Sequence, residues 1–275
     1  MKYKKKIVNA VLYLILLLIA AIMLYPILLL VNISFKNYSE FLTSPIGLVQ
    51  SPTFQNYITV WESMHVIGRA LNTIWMAAIA CALNIIVCVL AAYPLSRKFY
   101  AGSGAVYIFL LASMFFPGSL VANLILLKDI LHVYGGPVAL ILVWMYGSLT
   151  LNIFMLTNTF KGLPKDLDEA AYIDGCGYYR FIFSIGMPLT LPMIATLIML
   201  KAIGAWNDFL SPFIWVTDEN FKTLSTGLYL YTGQYAAQWQ LYSAAIFIVA
   251  LPMILIYIFG QRYIIEGMLA GSLKG

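Results

Sequence analysis

The sequence predicts an all-α membrane protein with six transmembrane helices, and three observations support this. Hydrophobic residues make up 62% of the 275 residues and charged residues 10%, whereas soluble chains contain about 25% charged residues. The mean hydropathy of +0.88 indicates more apolar surface than a soluble domain of this length could bury. Six apolar runs approach the roughly 20 residues with which an α-helix crosses about 30 Å of hydrocarbon. Most of the apolar surface is therefore expected to face lipid.

The six runs form a single predicted transmembrane domain, residues 1–275. The predicted spans cover residues 8–31, 71–95, 105–127, 137–157, 191–216 and 242–263. The first run is too long for the core of a signal peptide and lacks a small-x-small cleavage site, so we expect it to remain as a helix. Prolines at Pro26, Pro117 and Pro252 predict interrupted helices, because proline removes one helical hydrogen bond. Each interruption could be a hinge or a packing kink, and the sequence leaves both open.

Basic residues predict the orientation of the spans. With the N-terminus inside the cell, eleven lysines and arginines fall on cytoplasmic segments and four on outer segments. The cytoplasmic ones are Lys2, Lys4, Lys5, Lys6, Arg97, Lys98, Lys161, Lys165, Arg180, Arg262 and Lys274, and the outer ones are Lys36, Arg69, Lys128 and Lys222. Basic residues concentrate on the cytoplasmic side of membrane proteins. Both termini are therefore predicted to be cytoplasmic.

One cytoplasmic segment, residues 160–188, is predicted to form two short helices joined by a break. Asp166, Asp168 and Glu169 occupy the first turns of the first helix, where the helix dipole favours acidic side chains. Gly175 follows this helix and can adopt the left-handed conformation that a helix C-terminus requires. The segment is therefore expected to be an ordered cytoplasmic protrusion.

The same segment carries a motif with a specific spacing. Glu169-Ala170-Ala171 is followed by Gly175 and then by Ile185, Met187 and Pro188. This pattern resembles the EAA loop of the permease subunits of ATP-binding-cassette (ABC) importers, with Met187 where leucine is usual and Cys176 where alanine is common. The resemblance implies the type I ABC importer permease fold, in which the loop forms a cytoplasmic coupling helix that docks in a groove of an ATPase subunit. The implied coupling residues are Glu169, Ala170, Ala171, Asp174, Gly175 and Pro188.

A different interpretation of the segment is an amphipathic helix that lies on the membrane surface. Its acidic charge argues against this, because the inner leaflet of the membrane is itself anionic.

Further stretches resemble carbohydrate permeases of the maltose-permease type. They are Trp206-Asn207-Asp208-Phe209-Leu210, Ser51-Pro52-Thr53 with Asn56-Tyr57, Leu71-Asn72-Thr73, Gln261-Arg262-Tyr263 and the C-terminal Gly271-Ser272-Leu273-Lys274-Gly275. The resemblance implies a bacterial cell membrane protein that imports a sugar or oligosaccharide. The implied partners are a second, non-identical permease subunit, two ABC ATPase subunits and an extracytoplasmic solute-binding protein.

Two further sites follow from this resemblance. Gly271, Lys274 and Gly275 in the tail are expected to contact the ATPase subunits, although the tail could instead be a frayed terminus. Gln234, Tyr235 and Gln238 in the third outer loop are expected to reach into the binding protein. This aromatic loop could instead be a belt at the lipid headgroups.

Polar residues inside the spans are candidates for a translocation path. They are Lys201, Asn207, Asp208 and Asn152, with Asn84 and Asn123 on other spans. A charge in the membrane costs at least about 2.5 kcal/mol and therefore indicates a role. In a straight helix Lys201 and Asp208 would lie roughly 10 Å apart, so each needs another partner. The alternative interpretation is that these residues join helices by hydrogen bonds.

The sequence offers no site for enzyme chemistry. It has no phosphate-binding loop, so a partner must hydrolyse ATP, and His65 and His132 lie far apart on predicted outer segments. We therefore expect no enzyme activity, no cofactor, no metal and no nucleic acid. Alternative functions are an ABC permease for a non-sugar solute such as a polyamine or phosphonate, an ion-coupled secondary transporter, and an intramembrane enzyme. The secondary transporter would need internal repeats and a membrane carboxylate, and Asp208 is the one candidate for the latter.

The predicted orientation can be tested by cysteine labelling in sealed cells. An impermeant thiol reagent added outside should label cysteines at Ser51 and Thr232 but not at Lys165 or Ser272, because the latter pair is predicted to be cytoplasmic. Labelling at Lys165 would contradict the orientation and the cytoplasmic position of the 160–188 segment.

Overall fold

The computed structural model describes residues 2–116, 118–232 and 238–272, and its named elements are helices. They are α1 (Lys2–Ser34), α2 (Tyr38–Thr43), α3 (Gln55–Ser63), α4 (Val66–Arg97), α5 (Ser103–Ser113), α6 (Leu120–Leu124), α7 (Pro137–Tyr146), α8 (Leu149–Lys161), α9 (Asp166–Ile173), α10 (Tyr178–Phe181), α11 (Met187–Leu189), α12 (Leu191–Asn207), α13 (Leu210–Trp215) and α14 (Trp239–Ser272). Two π turns and two 3₁₀ turns add Ile125–Ile130, Ile182–Gly186, Glu219–Phe221 and Ser225–Tyr231. The predicted all-α class is thus confirmed for the described residues.

Three helices are long and apolar enough to cross a membrane alone, at Asn9–Ser34, Val66–Arg97 and Trp239–Ile258. Two pairs of shorter helices qualify only together. The α7–α8 pair bends by 44°, and a pair formed by Tyr178–Leu189 and α12 bends by 79°. The described residues therefore support three spans, or five when each bent pair is counted as one. The sixth span stays a prediction.

The third predicted span is not one helix. The helix α5 has 11 residues, which gives a length of about 16 Å, little more than half of the hydrocarbon thickness. The chain resumes helical structure at α6, where the side chain of Ser119 accepts a hydrogen bond from the N–H of Ala122. The break predicted around Pro117 is confirmed by its flanks, although Pro117 itself lies outside the described residues. By contrast, α1 and α14 continue through Pro26 and Pro252, so the interruptions predicted there are wrong.

Two breaks occur where the sequence predicted continuous spans. The fourth predicted span bends at Gly147 and Ser148, between α7 and α8. The fifth stops being helical after Asn207 and resumes at α13. Proline at position 212 explains the second break, because it has no N–H to bond the carbonyl of Asp208 and its ring would clash with that carbonyl in a helix.

The described chain divides into two compact units. One unit contains residues 1–66 and 227–252, and the other contains residues 67–226 and 253–275. In the first unit, the most apolar stretch of α1 has no buried residues, so it is available to lipid or to another protein.

The end of α1 in the first unit is tied to the loop that follows it. Lys36 is fully buried, and its ammonium group donates to the carbonyls of Ser44 at 2.6 Å, Pro45 at 3.2 Å and Gly47 at 2.5 Å. A charge this deeply buried is tolerated because it is fully hydrogen bonded. The three bonds fold the loop around a single side chain.

The Ser51-to-Tyr57 stretch completes this structure. The side chain of Asn56 donates to the carbonyls of Ser34 at 2.8 Å and Lys36 at 2.7 Å. The hydroxyl of Tyr57 lies 2.6 Å from that of Ser34. This stretch therefore joins α3 to the end of α1.

In the second unit, the largest apolar core joins the later half of α4 to α8, to the 160–188 segment and to α12. Its fully buried members include Cys88, Val89, Ala92, Leu156, Phe160 and Ile182. A second core joins the earlier half of α4 to α7 and α12 through Met76, Ala80, Leu140 and Ala205. Helix α4 is therefore the common packing partner in the second unit.

Replacing Lys36 with methionine should destabilise the loop of residues 37–54, because three carbonyls lose their donor. An unsatisfied buried group costs about 1–2 kcal/mol, which corresponds to a roughly 5- to 30-fold larger open population. Amide hydrogen exchange of this loop would measure the change. Lys128→Met is the control, since Lys128 is an exposed lysine. Equal exchange in both variants would contradict the proposed role of Lys36.

Candidate functional site

A cavity of about 440 Å³ lies in the second unit, beside the breaks between α7 and α8 and between α12 and α13. Its polar lining residues are Trp144, Tyr146, Ser148, Asn152, Lys201, Asp208 and Ser211. Apolar contacts come from Val143, Leu151, Leu197, Leu200 and Ala205. The predicted path residues Asn152, Lys201 and Asp208 are thus brought together in one cavity.

The bend between α7 and α8 frees backbone carbonyls that a continuous helix would use. Lys201 donates from its ammonium group to the carbonyl of Trp144, and also to the hydroxyl of Ser148 at 2.8 Å. The side-chain amide of Asn84 donates to the carbonyl of Met145 at 2.5 Å. Donors from α12 and α4 therefore satisfy the end of α7, as a break inside a membrane requires.

The break between α12 and α13 is organised by Asp208. One carboxylate oxygen accepts a hydrogen bond from the indole N–H of Trp144 at 2.8 Å, and the other accepts from the backbone N–H of Ser211 at 3.0 Å. The backbone carbonyl of Asp208 accepts from the hydroxyl of Ser225 at 2.7 Å. Lys201 and Asp208 each have other partners, as predicted, and both bond to Trp144.

Among the asparagines the structure supports the interhelical interpretation. The side chain of Asn152 is buried and donates to that of Asn84 at 2.7 Å, which joins α8 to α4. Asn207 is exposed and is not part of the cavity lining, so its predicted place in the path has no support from its position.

The 160–188 segment contains the predicted pair of short helices, α9 and α10, separated at residues 174–177. Asp166, Asp168 and Glu169 occupy the first turn of α9, as predicted. Gly175 has a φ of 68°, which confirms its predicted left-handed conformation. The N–H of Gly175 bonds to the carbonyl of Tyr172 at 3.0 Å, and the N–H of residue 176 bonds to that of Ala171 at 2.8 Å. These two bonds form a Schellman motif, which ends the helix.

Helix α9 has two faces of different character. Ala171 is buried in the core with α4 and α8 and is not on the exposed face of α9, so its coupling role stays a prediction. Glu169 and Ala170 are exposed, and Tyr172 and Ile173 are 83% and 82% exposed. Residues three apart share a helix face, so Asp168 lies with Ala171 on the inner face.

The inner face of α9 is bonded to the end of α4. A carboxylate oxygen of Asp168 lies 2.7 Å from the guanidinium of Arg97, and the other accepts from the hydroxyl of Tyr93 at 2.5 Å. Arg97 also donates to the carbonyl of Leu163 at 3.2 Å. The sequence identified Asp168 only as a helix-dipole residue, and no local pattern pointed to Arg97 or Tyr93 as its partners.

Two further predicted coupling residues lie in the 160–188 segment. Asp174 and Pro188 are exposed, and Pro188 lies in α11 beyond the π turn. Five of the six predicted coupling residues are therefore exposed, and Ala171 is buried.

Only some of the residues predicted for the outer loop and the tail lie within the part of the chain that the structure describes. Gln234 and Tyr235 in the third outer loop, and Lys274 and Gly275 in the tail, lie outside the described residues. Gln238 is half-buried at the start of α14, where its carbonyl accepts from the N–H groups of residues 241 and 242. Gly271 is in the last turn of α14.

The two histidines of the chain are far apart in the sequence. His65 and His132 have left-handed backbone conformations at the ends of helical turns, with φ of 49° and 53°. Within residues 2–116, 118–232 and 238–272, no three His, Cys, Asp or Glu residues cluster in a way that could hold a metal.

Replacing Asn84 with leucine should lower the stability of the second unit. The change removes the side-chain donor of the Met145 carbonyl and leaves the amide of Asn152 with only its longer bond, to the hydroxyl of Ser148 at 3.4 Å, at a cost of about 1–2 kcal/mol. Thermal unfolding in detergent would measure it. Asn207→Leu is the control, because Asn207 is exposed on the neighbouring α12. If both variants unfold at the same temperature, the Asn84 contacts do not hold these helices together.

The chain is similar in sequence to known transport proteins. It matches the family described as binding-protein-dependent transport system inner membrane component over residues 85–269. It is 32% identical over 262 residues to the trehalose/maltose transport system permease protein MalG of Thermococcus litoralis, which covers 94% of both chains. It is 31% identical over 256 residues to the sulfoquinovosyl glycerol transport system permease protein SmoH of Agrobacterium fabrum, with 92% of this chain and 89% of the relative covered.

The fold is also similar to solved structures. A chain of a bacterial ABC transporter involved in the import of the acidic polysaccharide alginate gives a TM-score of 0.83 at 20% identity, with 94% of this chain and 97% of that chain covered. A chain of the alginate transporter in complex with an alginate pentasaccharide-bound periplasmic protein gives a TM-score of 0.62 at 17% identity, with 93% and 94% covered. The chain therefore belongs to the binding-protein-dependent inner membrane permeases of ABC transporters, of the maltose-permease type, which are multi-pass membrane components of transport systems and not enzymes.

Proposed function

We propose that this chain forms half of the translocation path of an ATP-driven importer for a sugar or oligosaccharide. The observation that carries the proposal is the outer face of α9, which places Tyr172 and Ile173 in solvent although both are large and apolar. Exposed apolar side chains on a short ordered helix are typical of a helix that docks into a groove of a partner. The relatives named for trehalose, maltose and sulfoquinovosyl glycerol transport support the substrate class. A permease for a non-sugar solute is the alternative.

The partner at α9 is proposed to be an ATPase subunit. Glu169 and Ala170 lie on the exposed side of α9 with Tyr172 and Ile173, so a carboxylate is available to anchor the apolar contact. Asp174, Gly175 and Pro188 would shape the edges of the surface. The complete importer would contain two ATPase subunits and a second, non-identical permease. A solute-binding protein delivers the substrate in this family.

The cavity is proposed to be part of the path. Its two charged residues, Lys201 and Asp208, are already bonded to backbone and side-chain groups of Trp144, Ser148 and Ser211. The cavity lining thus contains hydrogen-bond donors and acceptors next to the aromatic ring of Trp144. These groups suit a hydroxyl-rich solute, which can exchange hydrogen bonds with them as it passes.

The mechanism is proposed to be alternating access. Closure of the ATPase subunits would push α9, and the bent helix pairs would change their angles, so that the cavity opens to the outside and receives substrate. Hydrolysis would reverse the change. The chain needs only two packings of similar stability, because ATP supplies the free energy. Both termini are placed in the cytoplasm in this scheme, within a single domain of residues 1–275.

Two outlying segments would complete the complex. The tail residues Gly271, Lys274 and Gly275 are proposed to contact the ATPase subunits. Gln234, Tyr235 and Gln238 are proposed to enter the open binding protein and help to release the sugar. Gln238 anchors the loop, since its carbonyl begins α14.

Replacing Gly175 with valine should abolish uptake and weaken retention of the ATPase subunits, while membrane insertion is unchanged. A β-branched side chain is strained at a φ of 68°, so the end of α9 must change. Gly177→Val is the control, because a Cβ would meet nothing within 4 Å at either glycine, and Gly177 has an ordinary φ of −70°. Co-purification of the ATPase subunits and uptake in cells would be measured. Normal uptake by the Gly175→Val variant would contradict the coupling role.

A further inference from the structure

The structure contains a polar connection between α9 and α4 that the EAA-type motif does not include. Asp168 in α9 forms an ion pair with Arg97 and accepts a hydrogen bond from Tyr93, both in α4. The side chain of Arg97 is 5% exposed and that of Asp168 is 20% exposed. Water therefore screens this ion pair weakly, and the loss of either partner would leave a poorly solvated charge.

Tyr93 extends the connection into the apolar core. Its ring stacks on Phe181 of α10 with centroids 5.0 Å apart, and meets Phe160 at the end of α8 at 5.7 Å. Its hydroxyl at the same time donates to Asp168. One side chain of α4 thus contacts the helices on both sides of α9 as well as α9 itself.

The backbone segments before and after α9 are less suited to transmit a movement than its side-chain contacts with α4. The chain enters α9 after a turn at Gly162 and leaves it through a break that contains Gly175 and Gly177. Such turns bend more readily than a helix. A displacement of α9 reaches the spans most directly through its side-by-side contact with α4.

Helix α4 in turn holds the bend beside the cavity. Asn84 lies thirteen residues before Arg97 in this helix and donates to the carbonyl of Met145 at the end of α7, at 2.5 Å. It also accepts from Asn152 at 2.7 Å. One continuous helix, which contains Pro94 between Tyr93 and Arg97, therefore joins α9 to the break that borders the cavity.

We propose that Asp168, Arg97 and Tyr93 fix α9 to α4 so that the two helices move as one body, and that α4 carries the movement to the cavity through Asn84. The three residues are positioning residues that touch neither substrate nor nucleotide. The proposal rests on the proposed coupling role of α9, and it identifies the contact with α4 through which a displacement of α9 would reach the membrane helices.

The test uses the assembled importer with hydrolysis-deficient ATPase subunits, so that ATP and Mg²⁺ hold one state. Cys81, Cys88 and Cys176 are replaced by alanine, and a single cysteine is placed at Ser211 in the cavity lining. The labelling rate with an impermeant maleimide is measured with and without ATP. In the parent complex ATP should change this rate about fivefold or more, the size of a typical coupling between sites.

Asp168→Ala should reduce this ATP-dependent change to less than about twofold while the ATPase subunits still co-purify. Asp166→Ala is the matched control, because it removes the same charge from the same turn of α9 at an exposed position. It should respond as the parent does. An equal response by the two variants would overturn the proposal.

Two further variants exclude a simple folding defect. The pair Arg97→Gln with Asp168→Asn removes both charges and leaves neither unpaired, so it tests the connection if the single variant does not assemble. This pair should also lose the response to ATP, and a full response would overturn the proposal. Tyr93→Phe keeps the ion pair and should give an intermediate response. If the parent complex retains no ATPase subunits, the proposed function itself is wrong and this inference falls with it.

Discussion

The arrangement of the second unit depends on side chains that donate hydrogen bonds to carbonyls freed at helix breaks. Hydrocarbon offers no donors, so each freed carbonyl needs one from within the protein. Asn84 and Lys201 supply them to Met145 and Trp144, and Ser225 does the same at the second break. Because these donors come from other segments, each of these two breaks also joins two parts of the chain. The breaks are thus the points where the helices are connected most specifically.

This requirement explains the use of costly polar residues inside the spans. A charged side chain in the membrane is unfavourable by at least about 2.5 kcal/mol, and a helix that breaks without a donor is also unfavourable. Lys201 and Asp208 reduce both costs at once. The hydrogen bond that each makes to a backbone group at a break satisfies that group and also stabilises the charged side chain. Both also contact Trp144, so the two breaks share one side chain. The residues that make these bonds therefore also line the cavity.

Features that depend on local sequence could be predicted, and features that depend on distant donors could not. The acidic first turn of α9 and the left-handed Gly175 follow from neighbouring residues, and both are confirmed. The end of α12 depends on the nearby Pro212, and hydropathy missed it because proline breaks a helix without making the segment polar. The bend at Gly147 depends on Asn84 and Lys201, which are donors far away in the chain, so hydropathy alone predicted a continuous span there. The burial of Ala171 was missed for a similar reason, since α4 decides which face of α9 is covered. The sequence predicted several of the polar residues, but it did not predict that helix breaks bring them together around one cavity.

A helix of eight residues is too short to be stable alone in water, so α9 exists because the rest of the chain holds it. The Schellman motif closes its end, and Asp168 fixes its first turn to Arg97 and Tyr93. The interactions that make α9 ordered are therefore the same ones that leave its other face exposed. A helix held in this way can be displaced by a partner only together with α4, because moving it alone would break a buried ion pair. Its stability and its proposed capacity to transmit movement have one physical origin.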